Sequence, residues 1–266
     1  MGGELAGGAL TNDVWSLEPE GRGWRELRPL PGHAPAPPGL AAHAVAVVDD
    51  WLYVFGGRTT QDLFSSLLFR FPLLGGRWEL VEPWGGKAPA AAGHSLLFHP
   101  PTRTLILYGG HRPASARFSS RVNQTHLFHV DRRHWAPLRG GGAAGPRGRA
   151  FHSATLLGDY MVLYGGHVHA HYEEEKCYEE GVFFYHVGCH QWVTPEELRG
   201  GDPEEPGSRP PPPPPRGRFG HVAAALGGGV LLVAGGFSGD ALGDVIAYKL
   251  PRFAWAGEGP GVSHPQ

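Results

Sequence analysis

Residues 51–57 read WLYVFGG, an apolar stretch that ends in two glycines, and the chain repeats this arrangement. The further copies are TLILYGG ending at Gly110, YMVLYGG ending at Gly166 and VLLVAGG ending at Gly236. Spacings of 53, 56 and 70 residues separate the ends of these copies, and one period before Gly57 the chain opens on Gly2 and Gly3. Repetition at such a period predicts a chain built from stacked, similar units.

Each copy carries two further residues at matching places. A histidine stands 13 to 15 residues before the first glycine of the pair, and a tryptophan follows that glycine by 20 to 27 residues. These residues are His43, His94, His152 and His221, and Trp24, Trp78, Trp135, Trp192 and Trp255. Because a residue that recurs in every copy serves the architecture, we interpret both sets as structural rather than catalytic.

Four short strands are predicted in each copy. The first follows the histidine, the second ends at the glycine pair, the third is an alternating segment such as SSLLFRF, and the fourth carries the tryptophan. One four-stranded sheet cannot bury both of its faces, so the sheets must stack as blades around an axis. The prediction is an all-β fold, a β-propeller in which about four and a half four-stranded blades are present.

The blade boundaries follow from the repeat. We expect a single domain over residues 1–256 and a flexible tail over 257–266. Within the domain the predicted pieces are a half blade at 1–30 and blades at 31–80, 81–138, 139–194 and 195–256, the last with a proline-rich insert at 202–215. Half a blade leaves open edges, so we expect an incomplete propeller that missing strands of a longer parent would close.

These motifs resemble kelch repeats, in the order histidine, aromatic residue with glycine pair, polar and aliphatic segment, and tryptophan. The resemblance covers nearly the whole chain and implies a propeller that usually has six blades. It also implies that the glycine pairs are structural repeat positions: Gly56, Gly57, Gly109, Gly110, Gly165, Gly166, Gly235 and Gly236. Glycine suits places where the backbone needs positive φ or close approach to a neighbour.

A more specific resemblance lies in residues 160–192. The stretches YGGHVHAHYEEEKCY and YHVGCHQW resemble the kelch region of the attractin and multiple EGF-like domains protein 8 family. That resemblance implies the extracellular portion of a single-pass membrane glycoprotein, whose propeller is flanked by EGF-like and other cysteine-rich modules. Members of the family are connected with ubiquitin ligases that act on membrane receptors, through parts outside the propeller.

Two features bear on an extracellular location. Cys177 and Cys189 are the only cysteines, and with the resemblance they are expected to form a disulfide; the alternative is two free thiols in a cytosolic chain. Asn123-Gln124-Thr125 is a glycosylation sequon in a predicted loop, so Asn123 is a candidate glycosylation site. Neither a signal peptide nor a membrane-spanning run is present in the sequence given, so membrane association is expected only through other parts of a parent protein.

Catalysis, metals and cofactors are not expected. His167, His169, His171 and Cys177 could in principle hold a metal, but solvated loop residues are the simpler interpretation. The sequence has no serine-histidine-aspartate signature, no phosphate-binding glycine loop and no isolated tyrosine and histidine set of the copper oxidase kind. With a net charge of −2 and a pI near 6.8, nucleic acid is not an expected partner either.

The predicted binding residues lie in the long loops, because antiparallel blades collect the loops between strands two and three, and those between blades, on one side. Two neighbouring segments are basic and the next are acidic, which suggests a bipolar protein-binding face; plain solvated loops are the alternative. The candidate residues are Arg112, Arg117, Arg121, Arg147 and Arg149, with Arg139 beside them, and Glu173, Glu174 and Glu175. The tract from Arg209 to Pro215 is interpreted as an extended spacer, or alternatively as a polyproline ligand.

The sequence therefore predicts a non-catalytic protein-interaction module whose ligand or receptor is unknown. The leading hypothesis is the extracellular propeller of an attractin-like glycoprotein, at the outer side of the plasma membrane, in receptor-signalling regulation or cell adhesion. The alternative is an intracellular kelch adaptor that presents clients to a complex such as a ubiquitin ligase. Cysteine redox state and a glycan on Asn123 distinguish the two.

Overall fold

A computed structural model describes residues 1–18, 23–32, 35–115, 118–138, 145–168, 178–193 and 215–254, without the side chains of 113–119 and 253. The chain divides into two compact units, of which the first holds residues 1–138 and 148–150 and the second holds 139–147 and 151–266. The helices among the described residues are two short 3₁₀ turns, Pro100–Thr102 and Arg252–Ala254. None of the described helices has the length and hydropathy that a membrane span requires.

The described residues of the first unit form fourteen strands. In chain order they are β1 (Gly3–Glu4), β2 (Leu10–Thr11), β3 (Trp15–Leu17), β4 (Trp24–Glu26), β5 (Ala44–Val48), β6 (Trp51–Phe55), β7 (Leu68–Pro72), β8 (Glu79–Leu80), β9 (Ser95–His99), β10 (Thr104–Tyr108), β11 (His111–Ser115), β12 (Phe118–Arg121), β13 (Thr125–His129) and β14 (His134–Pro137). Strands β5 to β8 form one antiparallel four-stranded blade, and β9, β10, β13 and β14 form a second. The remaining strands form the pairs β1–β2, β3–β4 and β11–β12, of which β3–β4 is the predicted half blade.

The second unit contains the rest of the strands. They are β15 (Ser153–Leu157), β16 (Tyr160–Tyr164), β17 (Val182–His186), β18 (Gln191–Val193), β19 (Val222–Leu226), β20 (Val230–Ala234) and β21 (Val245–Lys249). Strands β15 to β18 form a four-stranded blade and β19 to β21 a three-stranded one. Both are consecutive meanders, as predicted. The fourth strand predicted at Trp255, the insert at 202–215 and the tail at 257–266 lie outside the described residues, apart from Pro215.

The first hairpin of blade β5–β8 shows how the sequence sets the local structure. Strand β5 alternates buried and exposed residues, with Ala44, Ala46 and Val48 on the buried face. Val48 pairs with Trp51, so Asp49 and Asp50 form a two-residue turn in which Asp49 has a φ of 52°. Aspartate tolerates this left-handed conformation better than most residues, and such turns match the twist of paired strands.

Within the first unit, the cores lie between successive sheets. Ala44, Ala46 and Val48 of one blade pack against Leu96, Leu105 and Phe128 of the next. Trp135 fills the centre of this contact, with its ring centroid 5.2 Å from that of Phe55 and 5.0 Å from that of Phe128. Burying a large apolar side chain stabilises a fold by roughly 1.5–3 kcal/mol, so these layers hold the blades together.

The repeat tryptophans occupy equivalent places. Trp78 packs 5.1 Å from Phe71 in the core that joins the half blade to blade β5–β8. In the second unit Trp192 is buried 5.3 Å from Tyr185. Trp24 of the half blade is instead 66% exposed, and Trp255 lies outside the described residues.

The glycine pairs connect each copy to the next. All eight predicted repeat glycines have positive φ, between 65° and 104°. The second glycine of a pair donates its N–H to a carbonyl three residues before the next histidine, as from Gly57 to Ala91 and from Gly166 to Arg218, both at 2.8 Å. A Cβ on Gly57 would stand 2.7 Å from the His43 Cβ, so a side chain does not fit there. This close approach explains why the pair recurs.

The repeat histidines join neighbouring copies as well. His94 Nε2 lies 3.2 Å from the carbonyl oxygen of Phe55, and His43 Nε2 lies 3.1 Å from that of Met1. Both side chains are partly or fully buried, and burial lowers the pKa of each. A neutral imidazole that donates from Nε2 to a carbonyl of the preceding copy is thus a recurring structural link.

The three-stranded blade leaves one apolar face exposed. Val222, Leu226 and Val245 are 70%, 46% and 66% exposed. Val222 and Leu226 stand one and five residues after their repeat histidine, as Ala44 and Val48 do, and Val245 pairs with the last residue of the second strand, as Leu68 does. Ala44, Val48 and Leu68 are buried between two blades of the first unit. Their exposure therefore marks a face of the kind that packs against a following blade.

Candidate functional site

The long loops lie where the antiparallel topology predicts, beyond the ends of the second strands. In the first unit they are the loop 58–67 and the segment 111–124, which contains the hairpin β11–β12. In the second unit they include residues 166–168, 178–181 and 236–244. We call these segments, with the connectors that precede each repeat histidine, the long-loop side of each unit. Sequence reasoning expected an irregular loop at 111–124 and missed the hairpin.

Arg112 is a half-buried cation at the base of the hairpin. Its Nη1 donates to the Oε1 of Gln124 at 2.7 Å, while its buried Nε has no hydrogen-bond partner in the part of the chain that the structure describes. Burial lowers the pKa of the guanidinium. Burial and the charge of Arg112 also lower the pKa of His126 to about 4, so this imidazole is neutral at physiological pH.

The base of the hairpin also contacts the loop 58–67. His111 stacks on Phe64, with ring centroids 5.0 Å apart and planes 9° apart. Burial lowers the pKa of His111, and the charges of Arg121 and Arg58 add to the effect. Arg58 itself binds Asp62 at 2.6 Å and Glu4 at 2.8 Å, so its charge is compensated.

Arg149, one of the predicted binding residues, does not lie on an accessible surface. Its side chain is fully buried, so it does not present its charge to a partner as expected. The side chain bonds to Tyr108, at the end of a second strand, and its carbonyl oxygen accepts from the Gly110 N–H at 2.8 Å. It stands three residues before a repeat histidine, and its role is therefore architectural.

Arg218 repeats that arrangement in the second unit. It also stands three residues before a repeat histidine and is 1% exposed. It bonds to Tyr164, which ends a second strand as Tyr108 does. Its Nη1 donates to the Gly235 carbonyl oxygen at 3.0 Å. Comparing the four positions that precede the histidines would have revealed this pair, because the other two hold Leu40 and Ala91.

The other predicted arginines differ in accessibility. Arg147 is exposed, whereas Arg112 and Arg121 are half-buried. The side chain of Arg117 and the residues Arg139, Glu173, Glu174 and Glu175 lie outside the described residues. Arg112 and Arg121 thus stand at the hairpin of the first unit, while Arg147 belongs to the second unit.

Asn123 lies exposed between β12 and β13. The following Thr125 is the first residue of β13 and is buried. A glycan attached to the Asn123 side chain would extend into solvent without disturbing the sheet. The geometry is therefore compatible with the glycosylation expected from the sequon.

Cys189 lies exposed in the turn between β17 and β18. Its predicted partner Cys177 lies outside the described residues, so the disulfide stays a prediction. His169 and His171 also lie outside them. Among the residues that the structure does describe, no group of three histidine, cysteine, aspartate or glutamate side chains is arranged to hold a metal ion.

An aromatic cluster on the long-loop side of the second unit escaped the sequence reasoning. Phe219 stands at its centre, with ring centroid distances of 5.5 Å to His167, 5.6 Å to Tyr178 and 5.6 Å to Phe237. Phe151 completes the group at 6.2 Å from Phe219. Phe237 is 37% exposed and the other four rings are partly exposed. We refer to these five residues as the aromatic cluster.

Comparison with known proteins gives a family match. The model of a family described as the attractin/LZTR1 beta-propeller matches residues 1–246. The human multiple epidermal growth factor-like domains protein 8 is 60% identical over 98% of this chain, and its rat counterpart is 61% identical over 96%. The chain spans 9% of the length of each of these two relatives.

A more distant similarity points to another group. The leucine-zipper-like transcriptional regulator 1 homolog of Drosophila melanogaster is 30% identical over 61% of this chain, which is 16% of that protein. The kelch domain-containing protein 3 of Bos taurus is 28% identical over 54% of the chain. Blades of this kind therefore occur in proteins with different names and lengths.

Proposed function

Because the chain belongs to the attractin/LZTR1 beta-propeller family, we propose that it is the non-catalytic binding module of an extracellular, attractin-like membrane glycoprotein. Its role would be to bind a protein ligand or receptor in signalling regulation or cell adhesion. The coarser statement, that the chain is a protein-interaction module, follows from the family. The extracellular location and the specific role are the proposed part.

The single observation that carries the proposal is the similarity to relatives named for multiple EGF-like domains. EGF-like modules are small, disulfide-dense domains of secreted and cell-surface proteins. A propeller that is 60% identical over almost its whole length belongs in the same surroundings. The exposed sequon residue Asn123 supports this location.

Binding would use the long-loop side. Loops held by rigid sheets are the usual place for recognition, and the blades provide rigid support through buried cores and repeated hydrogen bonds. In the first unit the hairpin presents the half-buried guanidinium groups of Arg112 and Arg121. An anionic group on a partner would pair with their exposed nitrogens.

An intracellular adaptor that presents a client to a complex is the second candidate. The observation in its favour is the similarity to the Drosophila leucine-zipper-like transcriptional regulator 1 homolog. The exposed position of Cys189 suits a reduced thiol as well as a disulfide. The two candidates share the binding surface and differ in compartment.

Mass spectrometry of the protein isolated from cells tests the location. Under the extracellular proposal, alkylation labels Cys189 only after reduction, and a glycosidase removes mass from the peptide that carries Asn123. Replacing Asn123 with Gln should abolish the glycosidase shift, whereas Gln124→Ala keeps the sequon and should keep the shift. Thiols that react fully without reduction, on a chain without glycan, would support the adaptor instead.

Cell-surface binding of the labelled chain tests the role. We expect saturable binding that Arg112→Ala and Arg121→Ala together weaken, while Arg25→Ala with Arg28→Ala, on the half blade, serves as the matched control. Unchanged affinity in the first variant would remove the arginines from the binding surface. Absence of saturable binding by the unaltered chain would contradict the proposed role itself.

A further inference from the structure

The aromatic cluster departs from the repeat. The residue two positions before the repeat histidine is Ala41, Ala92 or Ala150 in three copies, and Phe219 in the fourth. Ala41, Ala92 and Phe219 each form a β-bridge with the residue that follows a glycine pair. The backbone pairing at this position is therefore the same with alanine as with phenylalanine. The blade architecture therefore does not require an aromatic ring at Phe219.

At Phe151 the departure from the repeat also strains the backbone. The residue directly before the repeat histidine has positive φ in every copy, with values of 52° at Ala42, 65° at Gly93, 57° at Phe151 and 65° at Gly220. Glycine adopts this conformation without strain, whereas a bulky residue there is a conformational outlier. Strain of this kind tends to collect at functional sites, where a side chain is kept for what it binds.

The rings are accessible for binding. Phe237 is 37% exposed, and Phe219 and Tyr178 are partly exposed beside it. Tilted rings 5 to 6 Å apart are in contact and leave their outer faces and edges turned in several directions, which suits a ligand that lies over them. Aromatic residues in such positions often dominate the energetics of protein interfaces.

Carboxylates lie in the described loops beside the cluster. The described segments 178–181, 215–221 and 236–244 carry four carboxylates, on Glu179, Glu180, Asp240 and Asp244, and two guanidinium groups, on Arg216 and Arg218. Asp244 forms an ion pair with Arg218, and the Arg216 guanidinium donates to the Ser238 carbonyl oxygen at 3.0 Å. Glu179 Oε1 accepts from the Gly181 N–H at 3.2 Å, so Glu180 and Asp240 stand against the one remaining arginine.

These carboxylates lie close to the rings. Tyr178, Glu179 and Glu180 pass beside Gly217, two residues before Phe219. A Cβ on Gly217 would stand 2.8 Å from the Glu180 Cγ and 3.0 Å from the Tyr178 carbonyl oxygen. Glu180 is exposed, so its charge is available to a ligand that reaches the aromatic cluster.

We propose that the aromatic cluster, with Glu180, binds an arginine or lysine side chain on a segment of a protein partner. A cation over an aromatic ring is attracted by the negative face of the ring, and nearby carboxylates add to the attraction. The surface departs from the repeat at the residues that supply the rings. This inference rests on the proposed binding function and names the partner chemistry for the second unit.

A labelled ten-residue peptide of alternating arginine and glycine is the probe, with fluorescence anisotropy of the whole chain as the measurement. The matched peptide has every arginine replaced by citrulline, which keeps the shape and removes the charge. We expect the arginine peptide to bind at least about tenfold more tightly than the citrulline peptide, and the difference to shrink as salt is added. Equal binding of both peptides, or none of either, would overturn the proposal.

Variants locate the binding site. Phe219→Ala restores the residue that three other copies carry, and Phe151→Gly restores the residue of two, so both chains should fold. Each should weaken arginine-peptide binding by about tenfold, whereas Trp84→Ala removes a lone exposed aromatic of the first unit and should change it less than about twofold. If Phe219→Ala bound the arginine peptide as tightly as the unaltered chain does, the aromatic cluster would not be the binding site.

A stability measurement separates binding from packing. If the aromatic cluster were needed only for packing, Phe151→Gly would lower the urea midpoint. Under the proposal the midpoint stays equal or rises, because positive φ is less strained in glycine. If Phe219→Ala still binds the cell surface, this inference alone is contradicted. If the unaltered chain does not bind the cell surface, the proposed function is contradicted.

Discussion

The guanidinium of Arg218 meets the carboxylate of Asp244 in a bidentate pair, with Nη1 2.7 Å from Oδ1 and Nη2 3.0 Å from Oδ2. Arg218 is almost fully buried and Asp244 is about half exposed. The pair joins the connector before His221 to the start of β21. Removal of the carboxylate charge would leave the buried cation uncompensated, which is costlier than losing a surface contact.

Asp244→Asn is therefore expected to lower the urea midpoint clearly more than Asp240→Asn, an exposed neighbour in the same loop. The Arg218 guanidinium also holds the pKa of Asp244 below its usual value near 3.8. Stability from this pair is thus present above the unfolded pKa and is lost as the pH falls through the folded pKa. The decrease in the free energy of unfolding at acid pH should be smaller in Asp244→Asn than in the unaltered chain. Equal urea midpoints for the two variants would contradict the importance of the pair.

His94 predicts a pH dependence at low pH. Burial lowers the pKa of His94 to about 3, against 6.5 in an unfolded chain, while its bond to the Phe55 carbonyl opposes the shift. The unfolded chain therefore takes up a proton that the folded chain does not, and stability falls as the pH drops from about 6.5 toward 3. One such group gives a slope of about 1.4 kcal/mol per pH unit.

His94→Gln keeps a donor for the Phe55 carbonyl and removes the titration. We expect it to reduce the slope of unfolding free energy against pH between 6.5 and 5, measured by urea unfolding. His134→Gln, which replaces an exposed histidine, is the control and should leave the slope as it is. A slope in His94→Gln equal to that of the unaltered chain would show that His94 does not set the acid sensitivity.

Substitutions at Gly57 and Gly75 distinguish the cost of a steric clash from the cost of backbone strain. Their φ values are similar, 93° and 100°. A Cβ on Gly57 would stand 2.7 Å from the His43 Cβ and 2.9 Å from the Ala41 carbonyl oxygen, whereas nothing lies within 4 Å of a Cβ on Gly75. Gly75→Ala should cost about 1 kcal/mol and Gly57→Ala about 3 kcal/mol or more, by urea unfolding. Similar losses would mean that the neighbouring copy yields to the added methyl group.

Val48 and Leu226 test the equivalence of the blade faces. Val48 is buried between two blades of the first unit, and Leu226 holds the same repeat position on the exposed face of β19. Val48→Asp should cost about 3 kcal/mol or more, because it buries a carboxylate, while Leu226→Asp should cost less than about 1 kcal/mol. Equal destabilisation would show that the face at Leu226 is covered in solution.

The blades could be predicted from the sequence because their signals are local and repeated. The run WLYVFGG at 51–57 contains a strand and the turn that ends it, and His43 and Trp78 flank it at the spacing of every other copy. Where a residue's partner lies in another copy, prediction was weaker. Arg149 looks like a surface charge in its own segment, and only its bond to Tyr108, about forty residues earlier, shows why it is buried.

The aromatic cluster was missed for a related reason. Its five members come from separate segments between residues 151 and 237, and no pattern in the sequence brings their rings together. The available signal was a departure from the repeat, with Phe219 where three copies have alanine and Phe151 where two have glycine. Repeats hide such residues when they are searched only for what the copies share.

The bond between His94 and Phe55 spans 39 residues, and the bond between His43 and Met1 spans 42. Each link of this type therefore needs only one further copy of the repeat to have left the ribosome, and no distant part of the chain. Because contacts between neighbours in sequence close short loops, the nascent polypeptide can assemble the first unit in order of synthesis. The spacing of the histidines thus equals the length of chain that must emerge before each of these links can close.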